Sequence, residues 1–158
     1  MEKIQEVLLV FGQNIKKARE KQDLSIRELA NRIGYDRNCL SLLEYGEQNI
    51  TYETAVRLAK ELNTPFPALF SRNYLLNDED YFCEDDFLMV FIENLKRELK
   101  QKNIMQLQVY IECGVPEAVI SRVLNGKTDN PTIGTLCKIA TGITDGNMTR
   151  LFSKDGGE

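Results

Sequence analysis

The chain has 158 residues, 42 % apolar and 28 % charged, with a net charge of −4. Its longest apolar run, Phe87 to Ile92, is far too short to cross a bilayer, and the opening Met-Glu-Lys-Ile-Gln lacks the form of a signal peptide. There is no histidine, and Cys39, Cys83, Cys113 and Cys137 include no Cys-x-x-Cys pair, so zinc-site spacing is absent.

The first predicted helix carries Ile4, Leu8, Phe11, Ile15 and Ala18 at three- and four-residue spacing, with Lys16, Lys17 and Glu20 outward. Ser25-Ile-Arg-Glu28 has the form of a capping box opening a second helix with Leu29, Ala30 and Ile33 inward. Gly34 ends that helix, because a left-handed cap costs least without a Cβ. Asp36 is a favourable N-cap for a short third helix whose inner face is Leu40 and Leu43, closed by Gly46. Thr51 opens a fourth, with Ala55, Leu58, Ala59 and Leu62 inward, and a short fifth element from Pro65 to Phe70 covers the core. Two short helices around a glycine turn, with a small residue at 30, predict a helix-turn-helix.

The same pattern returns about eighty residues later. Phe11-Gly-Gln-Asn-Ile-Lys lines up with Phe91-Ile-Glu-Asn-Leu-Lys, and Gly34, Ser41 and Gly46 fall on Gly114, Ser121 and Gly126. After single-residue insertions, Thr51, Thr54 and Ala59 meet Thr132, Thr135 and Ala140, and Leu69-Phe70 meets Leu151-Phe152. A repeat of this length predicts two copies of one small domain. The expected division is 1–72 for the first helix-turn-helix domain, 73–86 for an acidic linker and 87–158 for a second, more divergent domain. Residues 1–76 hold 11 Lys/Arg against 10 Asp/Glu and residues 87–158 hold 9 against 8, so the linker carries the negative balance. The linker acids lack the spacing of a calcium loop and read as a solvated charge run. Tyr81 and Phe82 imply that part of the linker packs. The first helix of each copy has a surplus apolar side, to be covered by its counterpart, the linker or a second chain, so a homodimer through these surfaces is one expected arrangement. Cys39 and Cys113 fall within helical patterns and read as buried thiols in a reducing compartment.

With this ensemble of cap, small residue, glycine and apolar positions, the sequence resembles the lambda-repressor/Cro-like (Xre) family of bacterial and phage helix-turn-helix regulators. The likeness covers Phe11 to Phe70 well and Phe91 to Phe152 less well. It implies an all-α protein of two tandem five-helix domains, cytoplasmic in a bacterium or phage-encoded, whose third helix enters the major groove of double-stranded DNA. The positions it assigns to base edges are Arg37, Asn38 and Leu42; those it assigns to phosphate are Ser25, Ile26, Tyr45, Glu47 and Gln48. In the second copy the corresponding candidates are Gln106, Glu117, Ala118, Arg122, Asn125 and Lys127. Arg suits a guanine edge and Asn an adenine edge independently of any likeness, and neutral polar groups can hold phosphate. The family's usual Gln after the N-cap is Ile26 in the first copy. The second copy has Met105 in place of a capping Ser/Thr, and Tyr110 in place of Ala30, which should rotate or separate its helices.

The leading expectation is therefore a sequence-specific DNA-binding regulator, a repressor, with no cofactor. The alternative is a protein-binding module on the same fold, such as a phage-encoded inhibitor of a host enzyme or an antitoxin, which the acidic linker and eroded second motif favour. Nothing in the sequence suggests an enzyme: no histidine base, no Gly-rich phosphate loop and no converging carboxylates.

Overall fold

Apolar periodicity and side-chain caps divide the chain into helices in the order the sequence pattern gives. The computed structural model describes residues 2–74, 79–128 and 130–154. Its elements are α1 (Glu2–Lys21), α2 (Ile26–Ile33), α3 (Arg37–Glu44), α4 (Tyr52–Glu61), a 3₁₀ turn (Pro67–Phe70), α5 (Phe87–Lys102), α6 (Gln106–Cys113), α7 (Glu117–Leu124), α8 (Ile133–Ile143) and α9 (Met148–Phe152). No strand forms among the described residues. None of their helices is long and apolar enough to cross a membrane.

The caps explain the short elements. The Ser25 hydroxyl accepts from the Glu28 amide at 3.0 Å, and the Glu28 carboxylate accepts from the Ser25 amide at 3.2 Å. The Ser25 amide first, and the Ser25 hydroxyl second, hold the Glu28 carboxyl below its ordinary range by hydrogen bonding to the carboxylate. Asp36 accepts from the Cys39 amide at 3.0 Å to start α3, and Thr51 and Thr132 accept from the amides of Thr54 and Thr135. The last acid of the linker serves as a cap too: Asp86 accepts from the Met89 amide at 3.1 Å and opens α5. At α6 no side chain caps the helix, although the Gln108 side chain accepts from the Met105 amide at 2.9 Å.

Within each half the first helix is tied to the last by a buried asparagine. Asn14 donates to the carbonyls of Leu69 and Ser71, both at 2.9 Å. Asn94 donates to those of Leu151 and Ser153, at 2.8 and 3.1 Å. This accounts for the shared Asn in the repeated phrase.

The halves are joined by a reciprocal set of bonds. The Tyr52 amide donates to Pro131 O at 2.7 Å and the Ile133 amide to Ile50 O at 2.8 Å, forming an antiparallel bridge between Thr51 and Thr132. The Asn49 side chain accepts from the Gly134 amide, and the Asn130 side chain from the Glu53 amide, each at 2.9 Å. Residues 49, 50, 52 and 53 thus exchange partners with 130, 131, 133 and 134, as in a two-fold interface. A Cβ on Gly134 would lie 2.7 Å from the Asn49 side chain, which would have to shift. Beneath the bridge, Phe66 and Phe70 meet Phe152 with ring centroids 4.9 and 5.2 Å apart, and Phe87 lies 4.8 Å from Phe66.

The surplus apolar faces are partly covered inside the chain, with Leu9 and Met89 left 42 and 43 % exposed. α1 packs on α8 and on the 3₁₀ turn, and Phe87 joins the aromatic cluster.

Several details correct the sequence-based expectations. The helical turn expected from Pro65 begins at Pro67. Cys39 and Cys113 are only partly buried, and Cys137 is the buried thiol, pushed up to about 11 by desolvation and so inert near neutrality. In the linker, Phe82 packs on Phe87 with centroids 6.1 Å apart, whereas Tyr81 is exposed. Glu84 and Asp85 pair with Lys60 and Lys154 at 3.6 and 3.2 Å, so these acids are docked as well as solvated. Asn77 and Asp78 of the acidic run lie outside the described residues.

Candidate nucleic-acid interface

α3 presents two chemically different sides. Leu40 and Leu43 are buried against the core, and the spacing that sends them inward leaves Arg37, Asn38 and Leu42 exposed. Arg37 and Asn38 occupy the first turn, where side chains project beyond the helix end. Ser25, also exposed, begins the neighbouring α2, with Ile26 half-buried behind it. Tyr45 and Glu47 are exposed in the loop after α3. Gln48 is half-buried, with its side chain near the Tyr35 hydroxyl.

This platform is held from below by an ion pair that periodicity does not reveal. Arg19 of α1 forks onto Glu44 of α3, with Nε donating to Oε2 at 2.7 Å and Nη2 to Oε1 at 3.0 Å. Its third nitrogen donates to Leu24 O at 2.7 Å, tying in the start of α2. The bond to Glu44 raises the Arg19 pKa above its ordinary value against the opposing effect of burial. Gly12 permits the close approach: a Cβ there would sit 2.2 Å from Leu43 O.

The second half places its candidates on the corresponding elements with different chemistry. Glu117, Ala118 and Arg122 are exposed on α7, and Lys127 is exposed in the following loop. Asn125 is exposed but donates to the Ser121 hydroxyl at 3.2 Å, and Gln106 is half-buried. Tyr110 does turn outward, 43 % exposed where Ala30 is 1 %. As a result Val109 is the buried residue of α6, whereas α2 buries Leu29, Ala30 and Ile33. Met105, Leu107 and Ile111 are 71, 54 and 70 % exposed. The equivalent positions in the first half are Ser25, Arg27 and Asn31. Arg27 of α2 is a further exposed cation, which nothing in its spacing distinguishes in the sequence from a solvated helix residue.

Residues 15–69 match the helix-turn-helix family, and that span contains α2, α3 and the whole first-half platform. The chain belongs to this family of helix-turn-helix proteins. It is similar to Control protein C.SmaI of Serratia marcescens, with 36 % identity over 70 residues, covering 44 % of this chain and 83 % of that relative. No solved structure matches the chain.

Proposed function

We propose that the protein is a sequence-specific DNA-binding transcription regulator acting as a repressor, and that α3 is its reading helix. Arg37 and Asn38 contact base edges, Leu42 packs on an apolar base surface, and Ser25, Tyr45 and Gln48 border the phosphates. The observation that carries this reading is the exposed first turn of α3, bearing a guanidinium and a carboxamide above a fully buried underside. Family membership and the likeness to a control protein support it.

We further read the two halves as tandem copies of one helix-turn-helix module, fixed as a covalent pseudo-dimer. The reciprocal exchange between Asn49 and Asn130 supports this. Glu117, Arg122, Asn125 and Lys127, with Gln106 behind them, are the corresponding second-half groups. Net charge does not oppose the reading, because the local field at the interface governs association.

Selection of the full chain against a random duplex library tests the proposal. The expected result is one enriched motif, bound with a steep loss of affinity as salt rises, through counterion release. Two unlike half-sites about 34–36 Å apart would place α7 on DNA as well. Failure to enrich any duplex at low salt would contradict the regulator reading and favour a protein-binding module on the same fold.

A further inference from the structure

The outward face of α6 is built unlike any other helix surface in the protein. Leu107 and Ile111 lie one turn apart and more than half exposed, with Tyr110 beside them and Met105 at the helix start. Such a contiguous apolar face, with polar residues around it, is the usual mark of a protein contact. We propose that this face is a self-association surface that pairs with α6 of a second copy of the chain, antiparallel about a two-fold axis.

The distribution of charge selects that occupant. The apolar centre carries no charged side chain, whereas the exposed Glu112 stands at the C-terminal end of α6. At the other end no side chain caps the helix, and α5 closes just before it with the exposed Lys100 in its last turn, Lys102 being held by Ile143 O and Glu98. Antiparallel pairing brings the Glu112 carboxylate of each copy to the uncapped, positive helix end and lysine turn of the other. Parallel pairing would set Glu112 on Glu112. A closed two-fold contact is self-complementary in this sense. A DNA backbone is a poor occupant of this face, since Met105, Leu107 and Ile111 offer phosphate no donor, and Glu112 repels it.

The pairing leaves α3 uncovered, because α3 and α6 belong to different halves. It does not rest on the DNA-binding proposal, and the two can fail separately. With only three or four apolar anchors per copy the contact is small, so reversible association is expected.

The test is sedimentation equilibrium of the full chain without DNA, from low-micromolar to near-millimolar concentration. Wild type is expected to rise from 18.1 kDa towards twice that mass. The double variant Leu107→Arg/Ile111→Asn, which installs the first-half residues, is expected to stay monomeric with unchanged helical circular dichroism. Should it fail to fold, Ile111→Asn alone is expected to weaken association about tenfold or more, and Glu112→Lys likewise through the end-to-end charges. A wild type that stays monomeric throughout, or variants that associate like wild type, would overturn the proposal. Selection of DNA by wild type and loss of base preference in Arg37→Ala report separately on the regulator reading.

Discussion

At one position beneath their exposed helices the two halves solve the same packing problem with opposite chemistry. In the first, Arg19 and Glu44 form a forked, buried ion pair between α1 and α3. The aligned positions in the second are Leu99 and Leu124, with Leu124 buried and Leu99 packed against the core. Apolar packing at such a site stabilises as well as a buried ion pair or better, because neither group loses hydration. The ion pair therefore cannot be explained by stability alone. What it adds is direction: a planar fork fixes α3 against α1, and its third nitrogen also fixes the start of α2. The half with the polar exposed helix is the half with the directional support. The half with the apolar surface is held by non-directional contact.

This contrast is open to direct attack. The largest effect is expected from Arg19→Ala or Glu44→Ala, each leaving a buried uncompensated charge and costing about 3–5 kcal/mol in urea denaturation. Arg19→Leu/Glu44→Leu, which copies the second half, should recover most of that loss while weakening DNA binding through a less fixed α3. If the single and double variants were equally unstable, the comparison between the halves would be wrong.

Next in size are changes at the reciprocal junction. Gly134→Ala forces a Cβ against the Asn49 side chain and should cost about 1–3 kcal/mol. Asn49→Ala and Asn130→Ala each remove one cross-cap and should cost about 0.5–2 kcal/mol apiece. Equal costs, read by thermal denaturation, would support the two-fold account; a loss at only one of the two would break it.

The smallest effect is electrostatic. Arg150, chiefly by its hydrogen bond, holds the Glu98 carboxyl below its ordinary 4.5, with Lys102 assisting. A lowered folded-state value means that this contribution is present above about pH 4.5 and fades as pH falls through the folded-state value. Glu98→Gln should therefore lower stability modestly at neutral pH and flatten its decline on acidification. An unchanged acid limb of the unfolding profile would show that the pair contributes nothing.

The helices were legible because their signals are local. Ser25 with Glu28, Asp36, Thr51 and the left-handed glycines each mark an end within a few residues. The repeated asparagine at 14 and 94 was visible as a shared letter, but its partners lie more than fifty residues away. Arg19 with Glu44 and Asn49 with Gly134 left no periodic trace, since long-range polar pairs have no period. Among the candidate DNA-contact residues, exposure of Arg37 and Asn38 followed from the inward spacing of Leu40 and Leu43. The partial burial of Gln48 did not. On α6 the apolar Leu107 and Ile111 stand where the first half has the exposed Arg27 and Asn31, so register against the first copy marks them as surface although their chemistry does not.

The most direct test is the base preference of Arg37→Ala on the duplex enriched by wild type, measured position by position at fixed salt. The account predicts a loss of about 1–3 kcal/mol of discrimination, confined to one or two base pairs, with binding to non-specific duplex little changed. An unaltered preference at every position would contradict the assignment of α3 as the reading helix.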